Sequence, residues 1–322
     1  MNELQKMVSV CMITYNHEKY ISQAIEGVMI QKAPFPIELI IGDDCSNDNT
    51  LQICRYYQSK YPDSIRILQR KTNIGVISNF FECLRVSTGK YIALCEGDDY
   101  WIDPYKLQKQ VDFLETNQEY SLIHTNGFRN KKGKLSHWNE WYTLEGEVSG
   151  SFYYGNIVRT CSSLFRRGFL DDYLQIVGEC KSQIIGDWPL FAFYSLKGKF
   201  GYLKERTCVY RYNPTSVTST RSKDNYLKYI LDVIEVKRFL RDVLFKGELD
   251  ELFSETILNE DKDYAKLKNA FDTYKYAQAK NLMINKQPNQ KSSNLTIYVK
   301  NRQLFYFACF IRKIRQAIDY KK

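Results

Sequence analysis

Residues 91–101 read Tyr-Ile-Ala-Leu-Cys-Glu-Gly-Asp-Asp-Tyr-Trp, an apolar run of strand length that ends in three carboxylates, Glu96, Asp98 and Asp99, with Gly97 at the turn. Carboxylates this close repel one another unless a cation compensates them. Hard divalent ions such as Mg²⁺ or Mn²⁺ take oxygen ligands and often share them with substrate phosphates. The stretch can therefore serve a metal and a diphosphate. It can also be a solvated acidic turn that merely ends a strand, since Asp and Gly are favoured there.

Two earlier strand ends carry polar groups of the same kind. The apolar run 7–13 closes on Thr14, Tyr15 and Asn16, and 37–41 closes on Gly42, Asp43, Asp44, Cys45, Ser46, Asn47 and Asp48. Helical spacing follows each: Ile21, Ala24, Ile25 and Val28 after the first, residues 50–57 after the second, with Asp48 or Asn49 available as a cap. A short strand at 65–68, a turn at Asn73-Ile74-Gly75 and a helix over 76–86 lead into the acidic stretch. Four strands alternating with three helices predict an α/β fold with a mostly parallel, right-handed central sheet. All the polar groups then face its C-terminal edge, where open α/β sheets bind ligands. Neither GxGxxG nor GxxxxGK[ST] occurs, so dinucleotide and P-loop readings lose support.

The chain has 322 residues, 44% of them hydrophobic, enough for one large domain with an appendage. Its formal charge is +9, but residues 300–322 hold seven Lys or Arg against one Asp, so the body is nearly neutral. That argues against nucleic acid as a partner and for a local basic element. Nine cysteines without a CxxC pair and three scattered histidines make a zinc site improbable and suggest a reducing, cytoplasmic compartment. No stretch approaches the roughly 20 apolar residues that span a bilayer.

Taken together, Val-Ser-Val-Cys-Met-Ile-Thr-Tyr-Asn-His-Glu (8–18), Asp-Asp-Cys-Ser-Asn-Asp-Asn-Thr (43–50), Asn73-Ile74-Gly75 with Asn79, and Thr-Gly-Lys-Tyr-Ile (88–92) before Glu-Gly-Asp-Asp (96–99) resemble glycosyltransferase family 2, inverting nucleotide-sugar enzymes of the GT-A fold. The resemblance implies that Tyr15 packs on the nucleobase, usually uracil, beside the backbone of Thr14, and that Asp44 accepts a hydrogen bond from the base. Asn73 belongs to the same donor site. Asp98 is implied to contact the ribose, and Asp99 a divalent metal, Mn²⁺ or Mg²⁺. Glu96 stands where a leading Asp is frequent, and its role stays open.

Downstream, Trp101-Ile-Asp103-Pro104 before Leu107, Val111 and Leu114 reads as a capped helix with Pro in its first turn, its Trp either lining a sugar pocket or packing under the acidic loop. Lys131 to Lys134 reads as a hairpin tip. Trp138, Trp141, Tyr142, Tyr153 and Tyr154 are either acceptor-binding or core aromatics. The segment from Cys161 to Arg166, continuing to Gly186-Asp187-Trp188-Pro189, resembles the part of the family that carries the catalytic base, often written Glu-Asp; Gly186 replaces that Glu. Asp187 is then the base that takes a proton from an acceptor hydroxyl; as an isolated residue it reads as a helix N-cap. Residues 211–218 resemble the closing Arg-x-His-x-x-Ser loop with Asn213 for the His, and Arg211 or Arg221 could approach the diphosphate.

The expected organisation is a GT-A domain over 1–222, with a nucleotide-binding half 1–104 and an acceptor half 105–222, a helical extension 223–286, and a linker and basic amphipathic helix in 287–322. Leu304, Phe307, Ile311, Ile314 and Ile318 share one face of that helix, which suits either an anionic membrane surface or a protein partner. The implied activity is inverting, metal-dependent transfer from a nucleotide-sugar donor, a UDP-sugar first, to a glycan or lipid-linked acceptor of the bacterial surface. A catalytically silent donor-binding subunit is the alternative raised by Gly186 and Asn213. A nucleotidyltransferase lacks the basic, Gly-rich loop it needs.

Overall fold

The computed structural model describes residues 7–138, 140–153, 155–212 and 223–245. The expected features at Tyr154, Asn213, Arg221 and the loop up to residue 222, the helices after 245, the linker and the basic helix of 303–318 lie outside them. The first half alternates as the sequence predicts: β1 (Val8–Thr14), α1 (Ile21–Met29), β2 (Ile37–Asp43), α2 (Thr50–Lys60), β3 (Ile65–Gln69), α3 (Val76–Arg85) and β4 (Tyr91–Leu94). β1 pairs in parallel with both β2 and β4, and β2 with β3. The chain thus steps outward from β1 to β3 and returns on the other side of β1. The carboxyl ends of β2, β1 and β4 lie side by side at that reversal, the edge at which open α/β sheets bind ligands.

The second half contributes β5 (Tyr100–Trp101), α4 (Lys106–Thr116), β6 (Tyr120–Lys131), β7 (Lys134–His137), β8 (Leu164–Arg166), α5 (Leu170–Ile176), α6 (Asp187–Ser195), β9 (Lys199–Arg211) and α7 (Lys223–Phe239), followed by a π-type turn, Leu240–Leu244. One sheet runs β3-β2-β1-β4-β8-β6-β9-β5, with β7 on β6. Its parallel character holds from β3 to β4. Beyond that β8 is antiparallel to β4 and β6, β5 is antiparallel to β9, and β6 and β9 are parallel with irregular register.

Helices cover both faces, so alternate residues of a central strand enter opposite cores. Val8, Val10 and Met12 pack with Ile21, Ile25 and Leu107 on one side; Cys11, Ile40, Ile92 and Leu94 pack with Phe80, Trp188 and Phe191 on the other. Every residue of α6 from Trp188 to Ser195 is buried, as expected for a helix apolar on all sides. β2 meets α3 closely: a Cβ on Gly42 would lie 2.5 Å from Asn79 Oδ1 and 2.6 Å from Cys83 Sγ. The tip at Lys132 and Gly133 has φ of 53° and 81°, both left-handed, the geometry of a two-residue hairpin turn.

One expectation is corrected here. Pro104 does not sit in the first turn of α4; it precedes the helix, and Asp103 Oδ1 accepts the Tyr105 N–H ahead of it. Of the two residues expected to cap α2, Asn49 takes the N-cap position, its side chain donating to Glu18 and making no capping bond, and the Asp48 carboxylate accepts the Thr50 N–H and hydroxyl.

Candidate active site

The loops after β1 and β2 are knitted to each other by side chains. Asn16 Oδ1 accepts the Asn47 N–H at 2.8 Å, Asp48 Oδ2 accepts Glu18 N–H at 3.1 Å, and His17 N–H donates to Thr50 Oγ1 at 2.7 Å. Asp43 folds its own turn by accepting the Ser46 hydroxyl and N–H. Asn16 and Cys45 are held at φ of 56° and 62°, and such strain in non-glycine residues persists where surrounding structure over-determines it. Above this frame Tyr15 keeps 41% of its surface exposed, a flat ring open to a partner. Thr14 is buried, and its hydroxyl has no hydrogen-bond partner.

Asp44 is buried beside them. Its two carboxylate oxygens accept the N–H groups of Ile74 and Gly75 at 2.7 and 3.0 Å. Asn73 reinforces the clamp: its Nδ2 donates to the Asp44 carbonyl and its Oδ1 accepts the Gly75 N–H. These residues therefore bind the loop before α3 to the end of β2. Arg70, directly after β3 on the same edge, has Nε and Nη2 buried with no partner. Its place at a strand end is its one signal in the sequence.

The acidic stretch lies across the loop of β1. Gly97 N–H donates to the Ile13 carbonyl, and a Cβ on Gly97 would stand 2.7 Å from Thr14 Oγ1. Asp98 Oδ2 is 3.9 Å from His17 Nε2. Asp99 is buried and accepts the backbone N–H of Arg211 at 2.7 Å. Burial first, then the charges of Asp98 and Glu96, push its carboxyl well above the ordinary range. The Arg211 guanidinium donates to the Asp98 carbonyl and to Gln23 Oε1, and lies over the rings of Tyr20 and Tyr100. This arginine braces the acidic loop from outside.

Asp187 arrives at the head of α6. Gly186, not Asp187, takes the N-cap position; Asp187 is the first helical residue, its Oδ1 accepting the Trp188 N–H at 2.9 Å while Oδ2 accepts Asn156 Nδ2 at 2.8 Å and Thr160 Oγ1 at 3.0 Å. Burial raises its proton affinity. Glu96 is its electrostatic neighbour: burial, then Asp187, then Asp98 push the Glu96 carboxyl up to about 8, and Oε2 is buried without a partner. Glu96 thereby links the Asp98-Asp99 pair to Asp187, a neighbourhood invisible in a sequence that separates them by some ninety positions. Asn156 and Thr160 were likewise missed, because nothing in their types distinguishes them from loop residues. α7 reaches the same region, with Asp232 Oδ2 accepting Ser182 Oγ and the N–H groups of Gln183 and Ile184 just before Asp187.

The aromatic alternatives resolve toward the core for three residues. Trp101 is buried under the acidic loop, donating to the Cys161 carbonyl at 2.7 Å with Lys106 Nζ over its ring; Trp138 and Tyr153 are also buried. Gly186 has a packing reason, since a Cβ there would sit 3.1 Å from both Ile77 and Phe80. The eight cysteines among the described residues are free thiols.

A protein-family model described as Glycosyl transferase family 2 matches residues 9–174, about half of the chain and every loop of the crevice up to Thr160. The chain belongs to this family. Among family-related proteins, Rv1520 of Mycobacterium tuberculosis is 35% identical over 211 residues, which cover 63% of this chain and 58% of that protein. The chain thus spans less than two thirds of that relative's length. TarS residues 1–349 of S. aureus, solved with UDP, superpose with a TM-score of 0.59 at 18% identity, covering 97% of this chain and 90% of that one. The mannosyltransferase PcManGT of Pyrobaculum calidifontis, solved with GDP-Man and Mn²⁺, gives 0.56 at 14% identity over 99% and 87%. At these identities the likeness carries the fold: the architecture is the GT-A arrangement of this glycosyltransferase family.

Proposed function

We propose that this family 2 chain is an inverting glycosyltransferase that moves a sugar from a nucleotide-sugar, a UDP-sugar in the first instance, to a hydroxyl of a glycan or lipid-linked acceptor. The observation that carries the reading is the convergence of Asp187, held by three donors, with the carboxylates of the β4 loop, on the sheet edge that also presents the exposed Tyr15 ring. TarS with UDP and PcManGT with GDP-Man support a nucleotide-sugar donor on this architecture.

Tyr15 offers stacking area to the base and Asp44 keeps free lone pairs on oxygens already oriented by two N–H groups. Asp98 is assigned to the ribose. Among the described residues no group of three or more His, Cys, Asp or Glu is placed to hold a metal ion, so a divalent cation here would have Asp99 as its protein ligand and take the rest of its shell from the donor and water. Ions such as Mg²⁺ need only one or two carboxylates when phosphates and water complete the shell. Bound there, it would neutralise charge on the departing diphosphate. Asp187 takes the proton of the acceptor hydroxyl as that oxygen joins the anomeric carbon from the opposite face. Thr160, Asn156 and the Trp188 N–H fix its direction.

The test is a pair of substitutions assayed with Mn²⁺ and a panel of UDP-, GDP- and dTDP-sugars. Asp187→Asn is expected to lower kcat by roughly 10²–10⁴-fold with UDP affinity within twofold of the parent. Asp99→Ala is expected to abolish metal-dependent donor binding. Equal effects of both on binding would overturn the division of roles. Gly186, which stands for the family's Glu where a Cβ would press on Ile77 and Phe80 at 3.1 Å, supports the second reading of a donor-binding subunit; that reading wins if donor binds and UDP is never released.

A further inference from the structure

Arg159 precedes the 3₁₀ turn Thr160–Ser162. Its guanidinium carbon lies 4.1 Å from the ring centroid of Tyr142 and 4.6 Å from that of Tyr210. Two aromatic faces therefore hold the cation in place. Its edges are another matter: Nε is buried with no hydrogen-bond partner, and among the described residues the guanidinium makes neither a hydrogen bond nor an ion pair. A guanidinium cannot shed its proton, and leaving the buried Nε–H unmade is costly.

The bland account makes Arg159 the counter-ion of the acidic cluster. Arg159 does act on the carboxylates through space, Asp99 raising the proton affinity of Arg159 and Arg159 lowering that of Asp187, but no ion pair closes between them among the described residues and none of these carboxylates takes a hydrogen bond from it. Asp187 takes its hydrogen bonds from Asn156, Thr160 and Trp188, Asp99 takes its own from Arg211, and Glu96 is pushed up to about 8. The position is informative as well. Thr160, the next residue, donates to Asp187, and Tyr210 neighbours the Arg211 N–H that holds Asp99. The base-side residues Tyr15 and Asp44 follow β1 and β2, whereas Arg159 enters from beyond β4, ahead of β8. Arg159 thus stands on the side of the crevice where donor sugar and acceptor hydroxyl would meet.

We propose that Arg159 is an anion-recognition residue of the sugar pocket, and that one of the two sugars brought together there carries a carboxylate. The inference rests on the donor-site reading above. A planar guanidinium pairs two N–H groups with a carboxylate, and a pocket built for that pairing discriminates strongly against a neutral sugar that leaves the fork unmet.

The full chain with Mn²⁺ is compared with Arg159→Met and Arg159→Lys. The donor arm measures competition by UDP-glucuronate and UDP-glucose. The acceptor arm measures binding of methyl glucuronide and methyl glucoside to UDP-loaded protein by saturation-transfer NMR. The parent is expected to favour the anionic probe about hundredfold in one arm, and that arm identifies which sugar is charged. Arg159→Met is expected to reduce the preference to within threefold, and Arg159→Lys to retain part of it, with UDP affinity and Tm close to the parent in both. Absence of preference in both arms by UDP-bound parent protein overturns the proposal. So does a fall in UDP affinity in Arg159→Met that matches the loss of preference, since the anion is then the diphosphate. Failure of the parent to bind UDP at all overturns the donor reading itself.

Discussion

Burial pushes the Glu96 carboxyl from the ordinary 4.5 up to about 8, and the charges of Asp187 and Asp98 push the same way. Near neutral pH Glu96 therefore holds its proton in the free protein. A group whose folded value is raised contributes stability that is full below about pH 4.5 and is lost as pH rises through about 8. Each unit is worth about 1.4 kcal/mol, so the loss is of the order of a few kcal/mol. Glu96→Gln is expected to reduce this fall: urea unfolding at pH 5 and 8.5 should show the variant losing less stability over the interval than the parent, with Asp99 and Asp187 supplying what remains. Equal slopes would refute the assignment. The sequence displayed Glu96 at a strand end, but its neighbour Asp187 comes from the other half of the chain.

At the level of elements, the crevice depends on how closely two loops cross. A Cβ on Gly97 would meet Thr14 Oγ1 at 2.7 Å, Thr14 Cβ at 2.9 Å and His17 Nδ1 at 3.0 Å. Gly97→Ala must separate the acidic loop from the loop of β1, and calorimetry is expected to show UDP affinity reduced at least tenfold with a lowered Tm. The sequence reading had assigned this glycine only a turn. α7 supplies a second constraint through Asp232, which caps the Gln183 and Ile184 N–H groups ahead of Asp187. Asp232→Ala leaves two N–H groups without their acceptor, a cost of about 1–3 kcal/mol for each that stays buried. Steady-state kinetics should then show kcat falling with UDP affinity unchanged; an unchanged kcat would make α7 a bystander to the site.

For the whole molecule, one sheet joins β1–β4 to β6, β8 and β9, so the two halves expected from sequence share a continuous β-layer with helices on both faces. The charge is distributed unevenly, with the basic excess gathered after residue 300, and we propose that this segment docks on anionic lipid where a lipid-linked acceptor would reside. Co-sedimentation with vesicles containing phosphatidylglycerol is expected to retain the full chain and release a chain ending at Asn289. Equal retention of both would remove the membrane from the proposal.

Periodicity and turn chemistry determined the first four strands, their intervening helices and the gathering of Tyr15, Asp44, Asp98 and Asp99 on one edge. Those features follow from local rules: apolar runs bury, and polar groups at strand ends lie at the carboxyl edge of a parallel sheet. The tertiary structure alone decided that Asp44 and Asn73 clamp the loop before α3, that Trp101 packs beneath the acidic loop, and that Glu96 neighbours Asp187. It also left Arg159 between two tyrosines without a hydrogen-bond acceptor among the described residues. Burial, proton affinity and unmet hydrogen bonds depend on which distant segments share a volume, and spacing along the chain does not encode that sharing.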